Sequence, residues 1–208
     1  MRHLQVSCDS PDGAALREAA AAIGRGEIVA FPTDTLYGLA VDPRNAAAVG
    51  RLCAVKGRRF DQPVPLVAAD EAQAATVGEF TWLARRLASR FWPGPLTLLL
   101  PANPALCPRV HASTGRVAVR VPAHPVACAL ARAAGYAVTS TSANVSGGVA
   151  PSTAAEVAAT LGEWIEVLVD AGDTAGGLPS TVVDVTGSTP TLVRAGAVPW
   201  ERVLEFLS

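Results

Sequence analysis

The stretch "GEIVAFPTDTLYGLAVDP", Gly26 to Pro43, decides the reading of the fold. Ile28, Val29, Ala30 and Phe31 are apolar in succession. A short continuous apolar run bounded by turn residues fits a strand covered on both faces. Pro32 ends the pattern, Thr33, Asp34 and Thr35 follow, and an apolar segment resumes at Leu36, Tyr37 and Gly38. Proline removes a ladder donor, so the interruption is a break between two strands, near 28–31 and 36–41. The break places two hydroxyls and one carboxylate where a sheet would otherwise be dry.

Outward from this stretch, Ala-rich residues 12–24 predict a helix stopped at Gly24, and 45–55 predict another with Asn45 as N-cap. Further helices are expected within 79–91, at 124–134, at 152–161 and at 199–207, where Pro199 suits the first turn. Strands are expected near 64–68, 96–100, 137–140, 166–169, 181–185 and 191–194. Residues 116–121, "RVAVRV", alternate and predict a strand with one wetter face. Strands and helices are interspersed, so the fold class is α/β (α+β) with a twisted, mixed sheet. At 208 residues and 50% hydrophobic content, a single domain spanning 1–208 with a sizeable core is expected.

The formal net charge of −1 gives no global reason to expect a nucleic-acid or membrane-surface binder. Cys8, Cys53, Cys107 and Cys128 show no CxxC spacing and read as free thiols in a reducing cytoplasm. The N-terminal "MRHLQVSCDS" has no apolar signal region, and runs such as "LTLLL" are too short to span a bilayer. A cytoplasmic chain is the expectation. His3, His111 and His124 are scattered, so neither a permanent metal site nor a nucleophilic triad is expected.

Three segments carry candidate chemistry. "KGRR", Lys56 to Arg59, ends a predicted helix, where cations complement the dipole; three cations around Gly57 also suit a phosphate. Among 17 basic residues, 16 are Arg and only Lys56 is Lys, by composition bias or because an ammonium is needed there. "TSTSANVSGG", Thr139 to Gly148, concentrates Ser140, Thr141, Ser142 and Asn144 after a strand, as a solvated loop or as a site. It matches neither of the common Gly-rich nucleotide loops. Arg120 lies on a mostly apolar strand and needs an ion pair or an anionic ligand, as does Arg194 in "TLVRAG".

Taken in order, "PTDTLYGL", "KGR", "FWPGPLTLLL", "VAVRVP", "TSANVSG", "PSTVVDV" and "LVRAG" resemble the YrdC/TsaC family of threonylcarbamoyl-AMP synthases, over residues 26 to about 196. The resemblance implies a twisted mixed sheet with surrounding helices and a large concave groove. It implies synthesis of threonylcarbamoyl-AMP and pyrophosphate from L-threonine, bicarbonate or CO2, and ATP, for threonylcarbamoyladenosine modification of tRNA. It implies Mg²⁺ bound with ATP, partner proteins that transfer the group to tRNA, and at most weak tRNA binding. By the same resemblance Lys56 and Arg58 would be catalytic and would bind ATP with Ser142, Asn144 and Arg194, and Thr33, Arg120, Ser140 and Ser180 would hold threonine. Two departures stand out: Arg59 follows the lysine-x-arginine pair where many relatives have proline, and "PLVAAD" lacks a histidine that some longer relatives carry. The extra C-terminal domain of the two-domain members is not expected. Other readings on this fold are an RNA-binding protein, a low-activity paralogue, and a carbamoyl-adenylate activity like that of hydrogenase maturation factors.

Overall fold

A computed structural model describes residues 1–11, 13–59 and 61–208. The chain runs β1 (Arg2–Gln5), α1 (Gly13–Gly24), β2 (Val29–Phe31), β3 (Gly38–Ala40), α2 (Ala46–Lys56), β4 (Leu66–Val67), α3 (Glu71–Ala74), α4 (Trp82–Phe91) and β5 (Leu96–Pro101). It continues with β6 (Arg116–Arg120), α5 (Pro125–Ala134), β7 (Val138–Thr139), β8 (Thr141–Ser142), α6 (Ala154–Leu161), β9 (Val167–Asp170), β10 (Thr181–Asp184), β11 (Thr191–Arg194) and α7 (Trp200–Leu207).

The mixed α/β class is as the sequence implies, but the described strands divide between two sheets. The first has the order β1-β9-β2-β3-β8 and the second β11-β10-β5-β6-β4-β7. Both mix parallel and antiparallel pairs: β9 runs parallel to β1 and β2, while β3 is antiparallel to β2 and β8. In the second sheet β5 is parallel to β10 and antiparallel to β6.

Period-two alternation positions the site. On β5 and β6, Leu96, Leu98, Leu100, Val117 and Val119 point into a core shared with Leu39, Leu52, Leu83 and Leu87. Their neighbours Thr97, Leu99, Ala118 and Arg120 point to the opposite face, which is hollow. The wetter face expected for "RVAVRV" is this one. A second apolar cluster packs α1 and α5 against the first sheet through Leu16, Ile23, Val126, Leu130, Phe31 and Val167.

Three described elements lie outside the sequence expectations: β1, the single-turn α3, and β8. Asp70 caps α3 by accepting from the Gln73 amide. The polar "TSTSANVSGG" is not wholly loop, because Thr141 and Ser142 pair with Leu39 and Gly38. The expected strand at 137–140 is cut to Val138–Thr139, since at Ser140 the chain passes from one sheet to the other. The Thr139 hydroxyl accepts from the Val41 amide at 2.8 Å, tying β7 to the end of the first sheet's β3 segment. No helix among the described residues is long and apolar enough to cross a membrane.

Candidate active site

A cavity of about 690 Å³ lies between the sheets. Its floor is the polar-facing side of β5, β6, β10 and β11. Its cover is the Thr33–Gly38 turn with the Ser140–Ala150 segment. Of the residues singled out in the sequence, Thr33, Arg58, Arg120, Ser140, Ser142, Asn144, Ser180 and Arg194 all line it. Lys56 does not.

Each position follows from local structure. Helix α2 starts at Asn45, whose side chain accepts from the Ala47 and Ala48 amides at 3.1 Å. It ends at Gly57, held at φ 59°, a left-handed conformation that glycine adopts without a Cβ clash. That reversal aims Arg58 into the cavity, where its Nη2 donates to the Pro63 carbonyl at 2.6 Å. Arg194 leaves the end of β11 and donates to the Ser180 carbonyl at 2.7 Å and the Ser180 hydroxyl at 3.1 Å.

Arg120 is only 6% exposed. Its Nη1 lies 3.0 Å from Asp34 Oδ1, yet both atoms lack a hydrogen-bond partner, so the contact is an ion pair without hydrogen-bond geometry. Burial lowers the pKa of Arg58, Arg120 and Arg194, and the fields of Arg120 and Arg58 lower that of Arg194 further. No carboxylate is among the described residues lining the cavity. Arg120 has Asp34 beside it, whereas Arg58 and Arg194 are held by uncharged acceptors, so an anion entering the cavity would stabilise these two most.

Lys56 is buried, at 2% exposure. Its Nζ donates to the carbonyls of Ser142 and Asn144 and, at 3.2 Å, to Asn144 Oδ1. All three ammonium donors are thereby used on one loop. The Ser142 hydroxyl donates to Asn144 Oδ1 at 2.6 Å, and Asn144 Nδ2 donates to the Gly148 carbonyl at 2.6 Å. The Ser146 amide returns to the Lys56 carbonyl at 2.8 Å. Burial pushes the Lys56 pKa down to about 8, with Arg58 adding to the shift. In this state Lys56 shapes the wall that carries Ser142 and Asn144.

Thr33 lines the cavity, but its hydroxyl donates to the Leu36 carbonyl at 2.7 Å and accepts from the Thr35 and Leu36 amides. It therefore closes the turn after Pro32. Ser180 faces Thr97, with the two hydroxyl oxygens 2.8 Å apart. Thr97, Thr35 and Asp34 belong to this constellation and were not among the expected site residues. A hydroxyl set among the leucines of "LTLLL" is the signal that could have found Thr97.

The family model Sua5_yciO_yrdC, described as "Telomere recombination", matches residues 21–196. The chain belongs to the Sua5/YciO/YrdC family. A Bacillus subtilis member of that family, a threonylcarbamoyl-AMP synthase, is 41% identical over 96% of this chain and 57% of its own. The Halorhodospira halophila threonylcarbamoyl-AMP synthase is 44% identical over 74% of this chain and 81% of its own. The crystal structure of Pyrococcus abyssi Sua5 complexed with L-threonine superimposes with a TM-score of 0.95 at 36% identity, covering 100% of this chain and 61% of that one. The chain thus spans a little over half the length of the Bacillus and Pyrococcus Sua5/YciO/YrdC relatives.

Mg²⁺ is a hard cation that takes oxygen ligands. The described lining residues offer hydroxyls and guanidiniums but no carboxylate, and no metal-ligating cluster occurs among the described residues.

Proposed function

We propose that this chain forms threonylcarbamoyl-AMP and pyrophosphate from L-threonine, bicarbonate or CO2, and ATP. The observation that carries the reading is the concave cavity lined by Arg58, Arg120 and Arg194 with no lining carboxylate among the described residues. Such a cavity suits a reaction between two anionic substrates. The relatives' names and the threonine complex of the Pyrococcus protein point to the same pair of substrates.

The threonine amine loses a proton and bonds to CO2, giving a carbamate. A carbamate oxygen attacks the ATP α-phosphorus, and the bond to the pyrophosphate oxygen breaks. No protein nucleophile is required. The chain brings two anions together and offsets phosphate charge, so positioning and electrostatics dominate. Arg120 is assigned the threonine carboxylate, and Ser140, Ser180 and the Thr33 turn frame the amino acid. Arg58 and Arg194 are assigned the phosphates, with Ser142 and Asn144 on the loop that Lys56 holds. Mg²⁺ would arrive with ATP, held by substrate oxygens and water, and no step here depends on it. The adenylate would pass to proteins that modify tRNA, in the cytoplasm.

The test is pyrophosphate release from ATP with threonine and bicarbonate each omitted in turn. Release that needs both supports the reading; release indifferent to threonine refutes it.

A further inference from the structure

Resting on that reading, two different anions must be sorted among three guanidiniums in one cavity. The three are not alike. Arg58 is held by the Pro63 carbonyl, and Arg194 by the carbonyl and hydroxyl of Ser180, all of them uncharged. Arg120 alone is paired with a carboxylate, Asp34, at 3.0 Å. Asp34 comes from the turn after β2 and Arg120 from β6, so the pair joins the two sheets beside the cavity that Arg120 lines. The other Asp34 oxygen accepts from the Ala123 amide at 3.1 Å, which fixes the carboxylate to the start of the α5 segment.

A carboxylate this close cancels much of the guanidinium field at longer range. It does not consume the donors: Nη1, the nitrogen beside Asp34, has no hydrogen-bond partner. A guanidinium has five N–H groups in a fixed fork. The subsite around Arg120 therefore offers hydrogen-bond geometry with little net charge. A single carboxylate is satisfied by the geometry. A polyphosphate needs the charge, and finds it at Arg58 and Arg194.

We propose that Asp34 is the specificity-determining residue of this cavity, reserving Arg120 for a monocarboxylate by keeping polyphosphate off it. Asp34 touches no substrate and acts through Arg120.

The experiment is calorimetric titration of the full chain with L-threonine, with and without saturating inorganic tripolyphosphate. In the parent, tripolyphosphate leaves threonine affinity within about twofold, because the two anions occupy different guanidiniums. In Asp34→Asn, tripolyphosphate reaches Arg120 and weakens threonine binding roughly tenfold. Asp34→Glu, which keeps the charge, restores the parent pattern. A folded Asp34→Asn whose threonine affinity ignores tripolyphosphate overturns the proposal. Should Asp34→Asn fail to fold, Asp34→Ser keeps an acceptor for the Ala123 amide and is read in the same way. If the parent binds no threonine, the functional reading fails by itself, and the proposal is decided by tripolyphosphate alone. Asp34→Asn should then bind it roughly tenfold tighter, a gain abolished in the Asp34→Asn/Arg120→Gln double variant. Equal tripolyphosphate affinities would overturn it.

Discussion

Lys56 invites the most direct perturbation. Its ammonium sits at the C-terminus of α2, 2% exposed, and binds three acceptors on the Ser142–Asn144 loop. Lys56→Met keeps the approximate length and apolar stem but removes every donor. The carbonyls of Ser142 and Asn144 then lose a charged donor in a buried place. Hydrogen bonds to charged groups contribute ~1.5–3 kcal/mol each, and relief of the buried charge offsets part of the loss, leaving about 3 kcal/mol net. For a chain of this size that lowers Tm by roughly 6–12 °C. Lys56→Arg keeps the charge, but a wider planar group must enter a filled space. Overpacking costs roughly 1–3 kcal/mol, and a flat fork cannot serve three acceptors gathered around one point. Both variants should lose most ATP affinity, because Ser142 and Asn144 move with the loop.

Thermal unfolding and ATP calorimetry read these effects, and pH separates them. The folded pKa of Lys56 is about 8 against an ordinary value of 10.5. Between those values the unfolded chain binds more protons, so stability relative to Lys56→Met rises with pH. A neutral amine has only two N–H groups for three acceptors, so ATP affinity should fall as pH rises through about 8. The titratable neighbours of Lys56 shift in opposite directions, burial lowering the pKa of Arg58 and raising that of the Cys53 thiol. A Lys56→Arg variant with parental Tm and ATP affinity would refute the requirement for an ammonium.

Arg120→Ala should raise the threonine KM by about 10–150-fold while leaving the ATP KM nearly unchanged, since one charge-assisted contact is lost; steady-state kinetics of pyrophosphate release checks this. Threonine should outperform α-aminobutyrate and valine in adenylate formation, because a site that hydrogen-bonds a substrate hydroxyl through lining hydroxyls such as Ser140 discriminates against an analogue lacking it. Equal turnover of all three would contradict it. Asn45→Ala should cost about 1 kcal/mol of stability by removing the α2 cap, measured by denaturant unfolding, without changing the substrate KM values.

Local chemistry carried much of this protein in its sequence. Asn45 and Gly57 mark helix ends by capping and backbone rules that act within four residues. The alternation in "RVAVRV" placed Arg120 on a wet face, and the ordered motifs gave the family and most of the cavity lining. What the tertiary structure alone decided depends on partners far away in the chain. The division into two sheets turns on β1 pairing with β9, more than 160 residues later, and on the chain crossing between sheets at Ser140. The lone lysine was legible as unusual, but its three acceptors lie 86 to 88 residues away, and only their convergence turns its ammonium toward the loop. Asp34 reads locally as a turn residue. Its pairing with Arg120 exists only because the two sheets come together, bringing a buried guanidinium within reach of a carboxylate from the turn after β2.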